Sequence, residues 1–220
     1  NKEIDLRSDI LDFLSSLVQQ VVTIMYNLTA QIGVPNYGLA IIIMTIIVKL
    51  ALYPLTAKQI ASTSAMMELQ PKMKALQEKY KDNKPLLNQK MAELYKEQGV
   101  NPLAGCLPLL VQMPIMLGIF YGIRDFQYAG DPNFLWMTDI ALPDPYYILP
   151  VLSALTTFIQ SKQSMPDTSS PQNKVMLYFM PLFIGYISFT FPAGLVLYWV
   201  VMNVMQIAQQ ALMGKNKVAA

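Results

Sequence analysis

The sequence predicts an all-α, polytopic membrane protein: five transmembrane helices, a cytoplasmic helical hairpin and an external amphipathic helix. Three observations carry that prediction. Charged residues make up 14% of the 220 residues, against about 25% in ordinary soluble domains. The charges are also partitioned. No charge falls in the 36 residues between Asp12 and Lys49, the 26 between Glu97 and Arg124, the 17 from Pro145 to Ser161, or the 40 from Val175 to Gly214. Finally, lysine-rich and acidic segments alternate along the chain, as segments on opposite sides of a bilayer do.

Residues 1–32 form the first unit. Ile10, Leu14, Leu17, Val21, Met25 and Leu28 make a helical stripe, while Ser15, Ser16, Gln19, Gln20, Thr23 and Asn27 hold much of the other side. A one-sided helix of this kind lies in the interface more readily than it spans; a sixth span is the alternative. Residues 33–220 form the core, with spans at about 37–55, 102–124, 146–161, 175–191 and 193–213. Crossing the hydrocarbon takes about 17–25 residues, so the third and fourth spans are short and imply local thinning of the bilayer. Phe191-Pro192-Ala193-Gly194 breaks the longest apolar run into a tight hairpin.

Segment 56–101 carries eight lysines, Lys162 and Lys174 bracket the next loop, and Lys215 and Lys217 close the chain. Residues 125–145 instead carry Asp125, Asp131, Asp139 and Asp144 and no lysine. The positive-inside rule puts 56–101, 162–174 and the C-terminus in the cytoplasm, and the N-terminal helix and acidic loop outside. Within 56–101, the stripes Leu69, Met73, Leu76, Tyr80 and Leu87, Met91, Leu94, Tyr95 flank a turn at Lys81–Pro85. This pattern predicts an antiparallel helical hairpin, with Pro71 marking a start or a kink; docking of the stripes on a partner is the other reading. Asn1 follows no cleavable signal, so the chain reads as a mature or trimmed product.

Several chemistries lack their residues. There is no histidine, hence neither the commonest general base nor the commonest metal ligand. One cysteine, Cys106, allows no internal disulfide or cysteine cluster, and reads as a packing residue. No phosphate-binding G-x-x-x-x-G-K-[ST] loop occurs. The net charge of +2 is too small for nucleic-acid readout. No cofactor is expected.

The functional candidate is Lys49, set in an otherwise apolar span. A lysine at mid-bilayer costs about 2.5–3.5 kcal/mol on insertion scales, so it faces water or protein. Snorkelling to the nearby cytoplasmic end is the alternative. Polar stripes on other spans favour a shared site: Thr45 one turn before Lys49, Gln112 on the second span, Ser153, Thr157 and Gln160 on the third, and Trp199, Asn203, Gln206 and Gln210 on the last. These offer amides, hydroxyls and one cation but no carboxylate to neutralise it, which predicts a hydrated, mildly positive groove open to the cytoplasm.

The string Ile43-Met44-Thr45-Ile46-Ile47-Val48-Lys49-Leu50-Ala51-Leu52-Tyr53-Pro54-Leu55-Thr56 resembles the first core span of the YidC membrane protein insertases and their oxidase-assembly relatives. Leu69-Gln70-Pro71-Lys72, Asn101-Pro102-Leu103-Ala104-Gly105-Cys106, Pro108–Pro114, Asp144–Pro150 and Phe191–Trp199 are similar in the same order, so the likeness covers 38–212. It implies a five-span insertase core, not an enzyme, in the bacterial plasma (inner) membrane, with a groove open to cytoplasm and lipid. Its charge would be Lys49, where many members have arginine; Thr45, Gln112 and Trp199 would line it, with Tyr198 beside them. Gln160 and Asn203 are added from the polar stripes. The partners implied are nascent membrane proteins and the lipid bilayer, with the Sec translocon and ribosome or signal recognition components reached through the hairpin. The large external domain of many members and a long basic tail are absent from this sequence. Two further readings stay open: a small transporter or channel with an anion site at Lys49, and an assembly scaffold.

Overall fold

The computed structural model describes residues 2–100, 107–164 and 171–218, with side chains placed over 9–100, 112–164 and 173–213. The second-span start at 102–106, with Cys106 and the Asn101–Cys106 motif, lies outside the described residues, as does 165–170 of the second cytoplasmic loop. The fold is all-helical. Helix α1 is Lys2–Gln31, α2 Tyr37–Ala51, α3 Tyr53–Lys79, α4 Lys84–Glu97, α5 Leu107–Arg124 and α6 Ile148–Ser164. A short α7, Pro171–Lys174, runs through a π-helical turn, Val175–Phe179, into α8, Met180–Ser188; α9 is Ala193–Val218.

Local chemistry explains the boundaries. The Asn36 side chain accepts a hydrogen bond from Leu39 N and starts α2. At the other end Pro54, in the first turn of α3, has no N–H to continue the α2 ladder. The chain therefore breaks at Leu52, and α2 and α3 meet at a bend of 66°. The 37–55 stretch is thus a 15-residue helix followed by the first residues of another. Pro71 lies inside a continuous α3 instead of at its start. Asn83 caps α4 by accepting from Leu86 N, and the α3–α4 hairpin closes where Tyr95 Oη meets Met73 Sδ at 3.7 Å. The π turn precedes Pro181, whose missing N–H and bulky ring favour a widened turn ahead of it.

Small residues set the close seams. A Cβ on Gly118 would lie 3.1 Å from Leu14, one on Gly122 2.9 Å from Val18, and one on Gly185 2.8 Å from Ala154. So α1 lies against α5, and α8 against α6, closer than a Cβ would fit without a shift of its neighbour. The first two contacts advance together, so α1 and α5 run in the same direction where they meet. The apolar stripe of α1 divides accordingly: Met25 is buried and Leu14 half-buried, whereas Ile10, Leu17 and Leu28 stay exposed. α9 packs on α2, α5 and α6, which puts it at the centre of the bundle.

One pole of the bundle is closed by the 125–147 loop. Tyr37 is 2% exposed; it stacks on Tyr26 at 4.0 Å and meets Phe126 and Tyr128 edge-on. Its hydroxyl accepts from Ala129 N at 2.9 Å. Ala193 N and Gly194 N, two donors that the start of α9 would leave unpaired, bond to Leu142 O and Ile140 O at 2.8 Å each. Phe134 and Met137 exchange backbone bonds around a two-residue turn, and the Phe134 ring lies where a Cβ on Gly38 would stand, 2.1 Å away.

By length and composition, Ala193–Met213 can cross a membrane alone. α2 and α3 meet that measure only as a bent pair, and Val175–Ser188 is apolar but shorter, among the described residues.

Candidate functional site

Four helices bring the sequence candidates together. α9 supplies Tyr198, Trp199, Asn203 and Gln206 from successive turns, α2 supplies Thr45 and Lys49, α5 Gln112, and α6 Thr156, Thr157 and Gln160. The polar groups meet across the helix seams. Gln112 Nε2 donates to Tyr198 Oη at 2.8 Å. Trp199 Nε1 donates to Thr157 Oγ1 at 3.1 Å. Asn203 Nδ2 donates to Thr157 Oγ1 at 2.9 Å and Thr156 Oγ1 at 3.2 Å. Lys49 Nζ donates to Gln206 Oε1. Thr45 is fully buried, but its hydroxyl donates back to Ile41 O of its own helix at 2.7 Å, leaving only lone pairs for the site. Gln160 is half-buried and joins none of these pairs.

Lys49 is 6% exposed and among the described residues its side-chain partner is an amide, not a carboxylate, so neither bulk water nor a counter-ion accounts for its placement. Two features do. It lies in the last turn of α2, where the helix dipole presents partial negative charge to a cation, and the break at Leu52 is what puts a helix end there. Gln206 then supplies one neutral acceptor. The ammonium has three protons, so the site keeps a cation that is held but not neutralised.

Below this pair, a cavity of about 280 Å³ opens between α3, α6 and α9, with Ile60, Ser64, Met67, Gln163, Gln210 and Met213 on its walls. Gln163 Oε1, and Gln209 Nε2 on α9, are buried without a hydrogen-bond partner. Gln210 accepts from Ser164 Oγ at 3.4 Å. Polar capacity at this end is therefore left partly unused, an arrangement that buried amides seldom adopt.

Sequence reasoning found Lys49 and the α9 stripe, since both are visible as polar exceptions in apolar helices. It did not single out Gln206 as the partner of Lys49, Thr156 as a partner of Asn203, or Ser64 and Gln163 on the cavity wall. Helical spacing shows which residues share a face but not which face of another helix they meet. As chemistry, the set offers neutral donors and acceptors and one positive charge inside an apolar bundle. That suits holding a polar chain in passage.

Comparison with known proteins agrees in kind. A family profile described as "60Kd inner membrane protein" matches residues 27–220. The membrane protein insertase YidC 2 of Bacillus anthracis is 46% identical over 209 residues, covering 92% of this chain and 80% of that one. The membrane protein insertase YidC of Francisella tularensis subsp. novicida is 41% identical over 217 residues, covering 98% of this chain but 38% of its own length. A crystal structure described as an active YidC insertase with the first transmembrane domain resolved superposes with a TM-score of 0.68 at 28% identity, over 90% of this chain and 45% of that one.

Proposed function

This chain belongs to the YidC family of membrane protein insertases, and we propose that it inserts clients by letting a short hydrophilic tail enter from the cytoplasmic side among α2, α5, α6 and α9. The observation that carries the proposal is Lys49: one cation, buried, with a neutral partner, at the centre of inter-helix polar pairs. Each pair links two helices, so a polar segment passing between them can replace bonds it breaks. The client's apolar helix then leaves into lipid, and its burial drives the reaction. No nucleotide hydrolysis by this chain is invoked.

The topology that goes with this has five spans: α2, α5, α6, the helix through 171–188, and α9. The lysine-rich end, with the α3–α4 hairpin and the C-terminus, is cytoplasmic; the pole closed by 125–147 is external, and α1 reaches it through the Tyr26–Tyr37 stack. The 280 Å³ cavity lies at the cytoplasmic end, where a tail arrives first. Partners beyond nascent membrane proteins, such as the Sec translocon or ribosome, would dock on the hairpin. No observation favours a transporter.

Attraction of a carboxylate to one cation near water is worth about 1 kcal/mol or less, so Lys49 assists acidic tails without being required for every client. Lys49→Arg, Lys49→Ala and Lys49→Glu, assayed for insertion of a single-span client with an acidic tail, test this. The expected order is Arg near the parent, Ala reduced and Glu lowest. Insertion by Lys49→Glu at the parental rate would rule out attraction. A water-soluble thiol reagent should label a cysteine placed at 45 more readily while a client is engaged; no labelling in either state would remove the polar passage.

A further inference from the structure

Lys49 and Gln206 stand 157 residues apart in the chain and meet side chain to side chain between α2 and α9. Among the described residues Gln206 Oε1 is the acceptor that Lys49 uses, and the ammonium is almost wholly out of solvent. The chemistry of this partner is specific. A carboxamide oxygen offers lone pairs without charge. A carboxylate at the same place would satisfy the ammonium and also neutralise it. An apolar side chain would leave a buried charge uncompensated, at a cost that would drive Lys49 toward water. Glutamine does neither: it keeps the cation in the bundle and keeps it electrically available.

We infer that Gln206 is a specificity-determining positioning residue, a placeholder that holds the Lys49 ammonium inside the bundle until the carboxylate of an incoming acidic tail displaces it. The inference rests on the groove reading above and adds how tail charge is discriminated. Exchange of acceptors is favourable for an acidic tail, because a hydrogen bond between two charged groups is roughly twice as strong as one with a neutral acceptor. A charge-free tail brings no better acceptor than the one already present, so for it the Lys49–Gln206 pair stays closed and passage relies on the other polar pairs. Gln206 lies one turn before Gln210 of the cavity wall, so a tail in the cavity is next to the pair it must open.

The test uses two single-span clients that differ only in tail, one acidic and one charge-free, with the full chain in membrane vesicles. Gln206→Glu places a resident carboxylate on Lys49; insertion of the acidic-tailed client should fall roughly tenfold or more, through repulsion and loss of the free cation, and by several-fold more than insertion of the charge-free client. Gln206→Leu should lower acidic-tail insertion several-fold and also raise the reactivity of Lys49 toward a water-soluble amine reagent, because the ammonium leaves the bundle. Gln206→Asn, which keeps the chemistry and shortens the reach, should fall between Gln206→Leu and the parent. Equal loss on both clients for Gln206→Glu and Gln206→Leu would make Gln206 a packing residue and overturn the inference, as would undiminished acidic-tail insertion by Gln206→Glu. Lys49→Glu in the same assay separates the two levels. If it fails to discriminate the clients, the groove reading falls; if it discriminates and Gln206→Glu does not, only the exchange of acceptors falls.

Discussion

The two ends of the bundle are built by opposite rules. At the pole closed by 125–147, buried polar groups are satisfied several times over. Asp144 is 2% exposed and accepts from Trp136 Nε1 at 2.8 Å, Tyr146 N at 3.0 Å and Leu149 N at 2.7 Å. That one carboxylate ties the loop to the first turn of α6, and the start of α9 is hydrogen-bonded to the same loop. At the lysine-rich end the bookkeeping is loose: among the described residues it holds a cation with one neutral partner, two buried amide atoms with none, and a cavity. The difference marks where this fold uses its buried polar groups to tie segments together and where it leaves hydrogen-bonding capacity unused. A polar chain can replace a hydrogen bond at the second end; at the first, three would have to be replaced together.

Substitutions can break that contrast, and their expected effects descend in order. Asp144→Ala removes the acceptor for three donors and should lower stability by about 3 kcal/mol or more, read as a large fall in the unfolding midpoint in detergent; a fall no larger than that of a surface substitution would mean the closed pole is not the anchor. Gly38→Ala puts a methyl group into the Phe134 ring and should cost about 1–3 kcal/mol through displacement of the loop, with a matching loss of protection for Ala129 and Gly194 amides in hydrogen exchange. At the other end, Gln209→Leu deletes a buried amide that has no partner for its nitrogen. It should be neutral or stabilising by up to about 1 kcal/mol, and a loss of more than that would show the site to be tighter than described. The smallest effect belongs outside both poles. Lys90 and Glu93 pair at 2.6 Å on the exposed face of α4, and the hydrogen bond from Lys90 holds the Glu93 carboxyl below its ordinary range. The pair therefore contributes above the unfolded-state pKa of glutamate and is lost as pH falls through the lower, folded value. Glu93→Gln should lower the midpoint only slightly at neutral pH, since exposed pairs are strongly screened, and should not lower it at all at a pH below the folded value.

How far the sequence could be read follows the same division. Charge-free runs announced the apolar helices, and Lys49 stood out because it violates one. The α9 stripe was visible because helical spacing is periodic. The closed pole was not visible in this way. Asp144 looked like one of four acidic loop residues, and nothing in its neighbours says that it, unlike Asp131, is buried among donors from 136, 146 and 149. Nor does anything beside Tyr37 in the sequence signal that it lies at the centre of an aromatic cluster drawn from three segments. Such assignments depend on which loop meets which helix, and local pattern does not encode that. The break at Leu52 is an intermediate case: Tyr53-Pro54 is a local signal against continuing the helix, but the apolar run through Leu52 and Leu55 obscured it.

The bend at Leu52 has a mechanical consequence. α3 extends 27 residues from it, a rod of about 40 Å at 1.5 Å per residue, whereas Lys49 lies only three residues on the other side. A rotation of roughly 10° about that corner sweeps the far tip of α3 through about 7 Å but shifts the lysine by less than about 1 Å, on the same rise per residue. The arrangement is a long crank with its charge beside the fulcrum, so a swing of the hairpin tip would leave the ammonium beside α9.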